Sequence, residues 1–206
     1  SISLNGGNDT VITSEQYSTI DVGAGKNYIS IASSSDAHNT IYAGKGDDTV
    51  FVEDRDEDNL AERRYNNVIS ITGGNNYIYN SNVEKSTIYS GAGNDTIITG
   101  GGDGDWTRRD ISVNAGAGDN KITINTEMNY GLIYAKGGKD FVSLTGEGYG
   151  NVISVGGGDD TVITGDRNSE INLGNGNNSL SMLNSVSAYN TITAGDGNDT
   201  IKIADD

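Results

Sequence analysis

Residues 153–162 read Ile153-Ser154-Val155-Gly156-Gly157-Gly158-Asp159-Asp160-Thr161-Val162. Aliphatic side chains stand at 153, 155 and 162, a glycine at 158 and a carboxylate at 160. This spacing returns ten times along the chain. The glycines are Gly7, Gly25, Gly46, Gly74, Gly93, Gly118, Gly138, Gly158, Gly176 and Gly197. Two residues after each comes Asp9, Asn27, Asp48, Asn76, Asp95, Asn120, Asp140, Asp160, Asn178 or Asp199. Two further on comes an aliphatic, from Val11 to Ile201, and seven before each Asp/Asn stands another, from Ile2 to Ile192. Agreement at four positions over ten copies marks a repeat protein.

The steps between successive Asp/Asn residues are 18, 21, 28, 19, 25, 20, 20, 18 and 21. One step is one coil of a solenoid, each stacked on the last over a shared core. Apolar residues alternate around the glycine turns and β-branched residues dominate, so the coils are built of strands. Alternation points the residues seven before, five before and two after the Asp/Asn inward. Ser90 alone breaks the five-before file, which is otherwise small or aliphatic. Glycine at all ten turn positions implies a positive φ or no room for a Cβ. The expected fold is all-β: a right-handed parallel β-solenoid of about ten coils, on the order of 50 Å long. Residues 1–206 form one repeat domain, with insertions at 53–66 and 100–110, and read as a piece of a larger protein. Only 33% of residues are hydrophobic, so the core is thin and something besides burial must hold the coils together.

Four turns carry the pattern most fully: Ala43-Gly44-Lys45-Gly46-Asp47-Asp48-Thr49-Val50, Gly91-Ala92-Gly93-Asn94-Asp95-Thr96-Ile97, residues 156–162 and Gly195-Asp196-Gly197-Asn198-Asp199-Thr200-Ile201. They resemble the calcium-binding nonapeptide of the RTX (repeats-in-toxin) family, Gly-Gly-x-Gly-x-Asp-x-U-x with U a large aliphatic. The resemblance spans essentially the whole chain. It implies several Ca²⁺ ions held by Asp9, Asp47, Asp48, Asp95, Asp119, Asp140, Asp159, Asp160 and Asp199, with Asn27, Asn76, Asn120 and Asn178 at four turns. It also implies a bacterial protein exported by type I secretion, Gram-negative in source, and secreted or displayed at the cell surface. The chain departs from the family in using the glycine turn once per coil. The opposite turn has lost its glycines (Ser14-Glu15-Gln16-Tyr17; Gly165-Asp166-Arg167-Asn168), which reads as a half-degenerate β-roll with one metal-binding edge and one variable edge. Lys26 and Lys139 beside the ligand positions repel a cation, and stacked Asn side chains can form hydrogen-bonded ladders without metal. Asp140 and Asp160 form the only neighbouring pair with two Asp, so metal is expected to fill first near Asp140, Asp160 and Asp199, and the site at Asn27, beside Lys26, is expected to be weak or empty.

Charge narrows the partners. The net charge is −16, and Asp outnumbers Glu 21 to 8. Asp suits tight turns and calcium, and the acidic excess excludes nucleic acid. No stretch reads as a membrane span. The chain has no Cys, and its one His, His38, reads as a solvated loop residue. The acidic residues repeat identically, as structural ligands do, so no enzyme is expected; a polysaccharide-active β-helix enzyme is the remote alternative. Residues 53–66 read as a solvated mixed-charge loop, with a helix cap at Asp58 or Asn59 as the alternative. Trp106, beside Arg108 and Arg109, reads as folded against its own coil, with a ligand contact as the alternative, and Asp103 and Asp105 offer a weak separate cation site. Outward aromatics Tyr28, Tyr42, Tyr77, Tyr89, Tyr134 and Phe141 are expected to stabilise the sheets by cross-strand pairing. The functional expectation is a calcium-stabilised structural module of a secreted or cell-surface protein such as an adhesin, toxin, S-layer protein or exoenzyme. The alternative is a carbohydrate- or surface-binding module.

Overall fold

The computed structural model describes residues 1–33, 38–54, 66–81, 85–100, 110–183 and 189–204. One sheet holds β1 (Ile2–Ser3), β3 (Thr19–Asp21), β5 (Thr40–Lys45), β7 (Val68–Gly73), β9 (Thr87–Tyr89), β11 (Ser112–Ala117), β13 (Leu132–Gly137), β15 (Val152–Ser154), β17 (Glu170–Asn172) and β19 (Thr191–Thr193). The other holds β2 (Thr10–Thr13), β4 (Tyr28–Ser33), β6 (Thr49–Asp54), β8 (Tyr77–Asn80), β10 (Thr96–Thr99), β12 (Lys121–Ile124), β14 (Phe141–Leu144), β16 (Thr161–Thr164), β18 (Ser179–Met182) and β20 (Thr200–Ile203). Neighbours in each sheet are consecutive odd or consecutive even strands, all parallel. The chain is therefore a parallel β-solenoid, as expected, and its described residues contain no helix.

Register follows the sequence files. Ile41 pairs with Ile69, Ile153 with Ile171, Val50 with Ile78 and Val142 with Val162. The two inner faces meet in one core. Ile20, Ile41, Ile69, Ile88, Val113, Ile133, Ile153 and Ile171 line one side, and Ile29, Val50, Ile78, Ile97, Ile122, Val142, Val162 and Leu180 the other, all fully buried. Each such side chain contributes about 1.5–3 kcal/mol by leaving water. Ser90, the exception in the five-before file, is also buried; its hydroxyl donates to the Ala115 carbonyl at 3.2 Å. A polar residue is tolerated in this inward file because the next coil offers it a backbone acceptor.

Odd-to-even connections form the glycine edge and even-to-odd connections the other. The variation in coil length falls on the second edge: β6 ends at Asp54 and β7 begins at Val68, while β10 ends at Thr99 and β11 begins at Ser112. The insertions expected at 53–66 and 100–110 fall on this edge, except that Glu53 and Asp54 continue β6 and pair with Ala32 and Ser33 of β4. Asp58, Asn59, Asp103, Asp105, Trp106, Arg108 and Arg109 lie outside the described residues. His38, also on this edge, is half-buried and stacks on Tyr17 with ring centroids 5.5 Å apart, rather than standing free in solvent.

This second edge also carries an ordered element. Buried Asn and Ser side chains two residues before the odd-strand isoleucines accept the backbone N–H of the coil before: Asn39 from Ser18 (2.9 Å), Asn67 from Asn39 (2.9 Å), Asn151 from Gly131 (2.8 Å) and Ser169 from Asn151 (3.0 Å). Asn190 accepts in the same way from Ser169 at 2.8 Å. Asp166 joins the edge fully buried, its carboxylate accepting from Gly148 N–H at 3.0 Å and Asn151 Nδ2 at 2.9 Å. Burial raises its pKa above the usual carboxylate range, and those donors pull it part of the way back. The variable edge is thus held by a neutral polar ladder with one buried carboxylate.

On the glycine edge both reasons for glycine apply together. Gly158 has φ +136°, and an ideal Cβ on it would lie 1.7 Å from the Gly138 carbonyl oxygen one coil below. The file repeats this: Gly25 over Gly7 at 1.8 Å, Gly93 over Gly74 at 2.0 Å, Gly197 over Gly176 at 1.8 Å. Gly7 shares the φ, +135°, but its nearest atom is Asp9 Oδ1 at 3.9 Å. Gly158→Ala is therefore expected to cost about 3 kcal/mol or more, from backbone strain plus overpacking, and Gly7→Ala about 1–2 kcal/mol from strain alone. Thermal unfolding of the two variants checks this; equal losses would show that φ alone selects glycine.

Candidate metal-binding site

The Asp/Asn residue of each glycine turn has the same parity as the aliphatic two residues later, so its side chain also points inward. Asn27, Asp48, Asn76, Asp95, Asn120, Asp140, Asp160 and Asn178 are all 2% exposed or less, while Asp9 and Asp199, in the first and last coils, are half-buried. A buried polar side chain needs partners, and the neighbouring coil supplies them. Each ladder residue donates its backbone N–H to the side-chain Oδ1 one coil on: Asp9 to Asn27 (3.0 Å), Asn27 to Asp48 (2.9 Å), Asp48 to Asn76 (3.0 Å) and Asn76 to Asp95 (2.8 Å). The file continues from Asp95 to Asn120 (3.1 Å), Asn120 to Asp140 (2.9 Å), Asp140 to Asp160 (2.7 Å), Asp160 to Asn178 (3.0 Å) and Asn178 to Asp199 (3.0 Å). All ten residues named from the glycine spacing join one unbroken hydrogen-bonded file.

The order along this file is Asp, Asn, Asp, Asn, Asp, Asn, Asp, Asp, Asn, Asp. The two residue types do different things with their second side-chain atom. In the Asn rungs Nδ2 donates to the turn glycine carbonyl two residues back: Asn27 to Gly25 (3.1 Å), Asn76 to Gly74 (3.1 Å), Asn120 to Gly118 (2.9 Å). The same Nδ2 donates to the Asp of the next coil, Asp48, Asp95 or Asp140, each at 2.9 Å. In the Asp rungs that atom is an oxygen. Asp9, Asp48, Asp95, Asp140 and Asp160 each leave Oδ2 buried with no donor. An orphaned buried carboxylate oxygen costs about 1–3 kcal/mol or more, so a proton or a cation is needed there.

The electrostatics agree. Burial raises the pKa of Asp48, Asp95 and Asp140 above the usual carboxylate range, and the donors of Asn27, Asn76 and Asn120 oppose that rise. Asp160 lacks an Asn beneath it and receives only the Asp140 N–H; burial, with Asp140 and Asp159 adding repulsion, pushes it up to about 6.

Asp47, Asp119 and Asp159, one residue before the ladder, occupy a separate exposed file. Their Oδ1 atoms accept the next coil's N–H from Asn75 (2.8 Å), Lys139 (2.7 Å) and Asn177 (2.8 Å). Hydrogen bonds from Asn177, with Lys139 adding its charge, lower the pKa of Asp159. Neighbouring carboxylates 159 and 160 are thus pushed in opposite directions by exposure and burial. Lys26 and Lys139 project from the outer file, not into the ladder.

The donor set of the Asp rungs fits a hard cation: buried carboxylate oxygens beside turn carbonyls, with hard-oxygen chemistry suited to Ca²⁺. Among the described residues no three acidic side chains converge, so a cation here would draw on one or two carboxylates and on backbone oxygens. The Asn rungs fit it less well, because an N–H donor already engages the carbonyl. The sequence reading missed the Asn/Ser ladder of the other edge, whose signal is the recurrence of Asn or Ser two residues before the odd-strand isoleucines. No curated protein and no solved structure matches the chain. Among families, the description RTX calcium-binding nonapeptide repeat (4 copies) matches residues 4–30, 31–54, 86–104, 154–181 and 188–202, more than half of the sequence. With the glycine turns, the inward Asp/Asn file and this match together, the chain belongs to the RTX calcium-binding nonapeptide repeat family.

Proposed function

We propose that this chain is a calcium-stabilised structural rod within a larger secreted or cell-surface bacterial protein, folding once it meets extracellular calcium. The observation that carries this is the row of orphaned Asp Oδ2 atoms on the glycine edge. Inside a cell with little free calcium those buried carboxylates oppose folding, and the thin core has little reserve against chain entropy. Outside, a cation bound only by the folded state drives folding by mass action. The ladder carboxylates are spread over six of the ten glycine turns rather than gathered at one place, which suits holding a rod more than turning over a substrate. Among the described residues no helix is long and apolar enough to cross a membrane. An adhesin, toxin, S-layer protein or exoenzyme would each use such a rod.

Circular dichroism with a chelator at about pH 7 is expected to show loss of β structure, restored by millimolar calcium. A chelator-resistant spectrum with unchanged melting would refute calcium dependence. Protons are expected to substitute for the metal. Asp48, Asp95, Asp140 and Asp160 have folded-state pKa values above their unfolded value of 3.8, Asp160 at about 6. Their stabilising protonation is therefore complete below the unfolded pKa and is lost as pH rises through the folded one. The metal-free protein should accordingly melt higher at about pH 5 than at about pH 7.

The ladder order can be tested directly. Asp160→Asn supplies an Nδ2 and removes the one carboxylate pair; the metal-free protein is expected to gain about 1–2 kcal/mol at neutral pH. Asn120→Asp would set Asp residues at 95, 120, 140 and 160 in one uninterrupted row, and is expected to lose a comparable amount and to depend more steeply on calcium. Chemical denaturation with and without calcium reads both. No difference between the variants in the absence of metal would show that the ladder carboxylates are not what calcium relieves.

A further inference from the structure

The outer faces of the two sheets treat their aromatic residues differently. On the even sheet the rings lock together: Phe51 lies 5.9 Å from Tyr28, 5.6 Å from Tyr77 and 6.1 Å from Tyr79 between centroids. That cluster is cross-strand pairing, and it is satisfied internally. On the odd sheet the registers set Tyr42, Ser70, Tyr89, Asn114, Tyr134 and Ser154 side by side on β5, β7, β9, β11, β13 and β15. A tyrosine stands on every second strand, with a small polar residue between. The rings therefore repeat at about 10 Å along a straight file. They are 45%, 46% and 38% exposed. On the turn side Tyr42 and Tyr89 are followed two residues on by Gly44 and Gly91, so no side chain from their own strand's next outward position shields that flank.

The charge around this file is as selective as its spacing. In a molecule of net charge −16, strands β5, β7, β9, β11, β13 and β15 contain no Asp or Glu. The nearest outward carboxylates on this sheet flank the ends of the file: Asp21 on β3 is in register beside Tyr42, and Glu170 on β17 beside Val152. The residues flanking the rings are mostly hydroxyls and amides, Thr40, Ser70, Thr87, Ser112, Asn114 and Ser154, with Leu132 and Lys136 on either side of Tyr134 and Val68 and Val152 on neighbouring strands. Such a strip repels polyanions through the molecule's overall field and, between its ends, offers no carboxylate to a basic partner. What it presents is flat aromatic surface at a fixed repeat, with hydrogen-bonding groups of both senses between.

We propose that Tyr42, Tyr89 and Tyr134 form a binding platform for a neutral, extended, β-linked polysaccharide. The apolar C–H faces of alternate sugar rings stack on successive tyrosines, and the intervening Ser and Asn meet the hydroxyls. In such a chain each sugar is flipped relative to the last, so the same face returns every second ring, a distance that matches two strand spacings. This inference goes beyond the structural role above and does not depend on metal at any one rung.

Isothermal titration of the calcium-loaded chain with cellohexaose and chitohexaose, against the coiled maltohexaose, tests it. Binding of at least one extended oligosaccharide, and none of maltohexaose, is expected. Tyr89→Ala is expected to weaken binding about tenfold, as loss of one stacked ring implies, and Tyr89→Phe to retain it. Tyr77→Ala, on the opposite face, should lower the melting temperature and leave binding unchanged. Tyr42→Ala provides a second test should Tyr89→Ala alter the circular dichroism spectrum. No heat from either extended chain, equal binding of maltohexaose, or equal loss on Tyr77→Ala would overturn the proposal.

Discussion

The contact on which everything else rests is that of a glycine Cα against the carbonyl oxygen of the glycine one coil below. No Cβ fits between them at Gly158 and Gly138, or at Gly25 and Gly7. Hydrophobic packing alone is indifferent to sliding, because one isoleucine stacks on another with some play. The glycine contact removes that play at one edge. Once the turns are stacked that closely, the Asp/Asn side chain two residues on can reach the N–H of its neighbour and no other. The ladder is thus a consequence of the turn, and the register of both sheets follows from the ladder.

That arrangement sets a problem of charge in the same stroke. The side chains that align the coils are turned away from water, yet half or more of them are acids. Alternation with asparagine softens the conflict: three of the buried Asp residues receive two donors from the Asn below them, one from the backbone and one from Nδ2. What remains is a second oxygen per Asp with nothing to bind. In the proposed function, calcium and protons compete for that same unmet demand, and an acidic thin-cored chain would then fold in one environment and open in another.

Much of this was legible in the sequence. The ten glycines, the aliphatic files and the uneven steps placed the coils, the inward faces and the edge that takes insertions, because close packing tolerates few residue types at those positions. Burial of the Asp/Asn file was implied by parity with Val11 or Ile97 two residues later, but acids at turns ordinarily read as exposed ligands. The division between Asp159 and Asp160 was not legible: one residue separates an exposed acceptor from a buried one, and composition treats them alike. The Asn/Ser ladder through Ser18, Asn39, Asn67, Asn151 and Ser169 was hidden because it lies beside segments of irregular length, where such residues are common for other reasons. Phe51 and Tyr79 sit outside the glycine-based numbering, so their packing with Tyr28 and Tyr77 appeared only with the register.

Tyrosine and ladder residue share a rhythm. The coils of Tyr42, Tyr89 and Tyr134 carry Asp48, Asp95 and Asp140, while those of Ser70 and Asn114 carry Asn76 and Asn120. From β5 to β14 the true translational unit is therefore two coils, not one. A lattice with a doubled cell can be lengthened or trimmed without penalty only by whole cells. Adding or losing a single coil anywhere in this stretch would bring two carboxylates, or two amides, into adjacent rungs and shift every later tyrosine out of phase. The step from Asp140 to Asp160 has the form of such a fault: the acid repeats and the tyrosine file stops. A lineage of these rods would be expected to change length in even steps, with each odd step leaving a local defect of this kind.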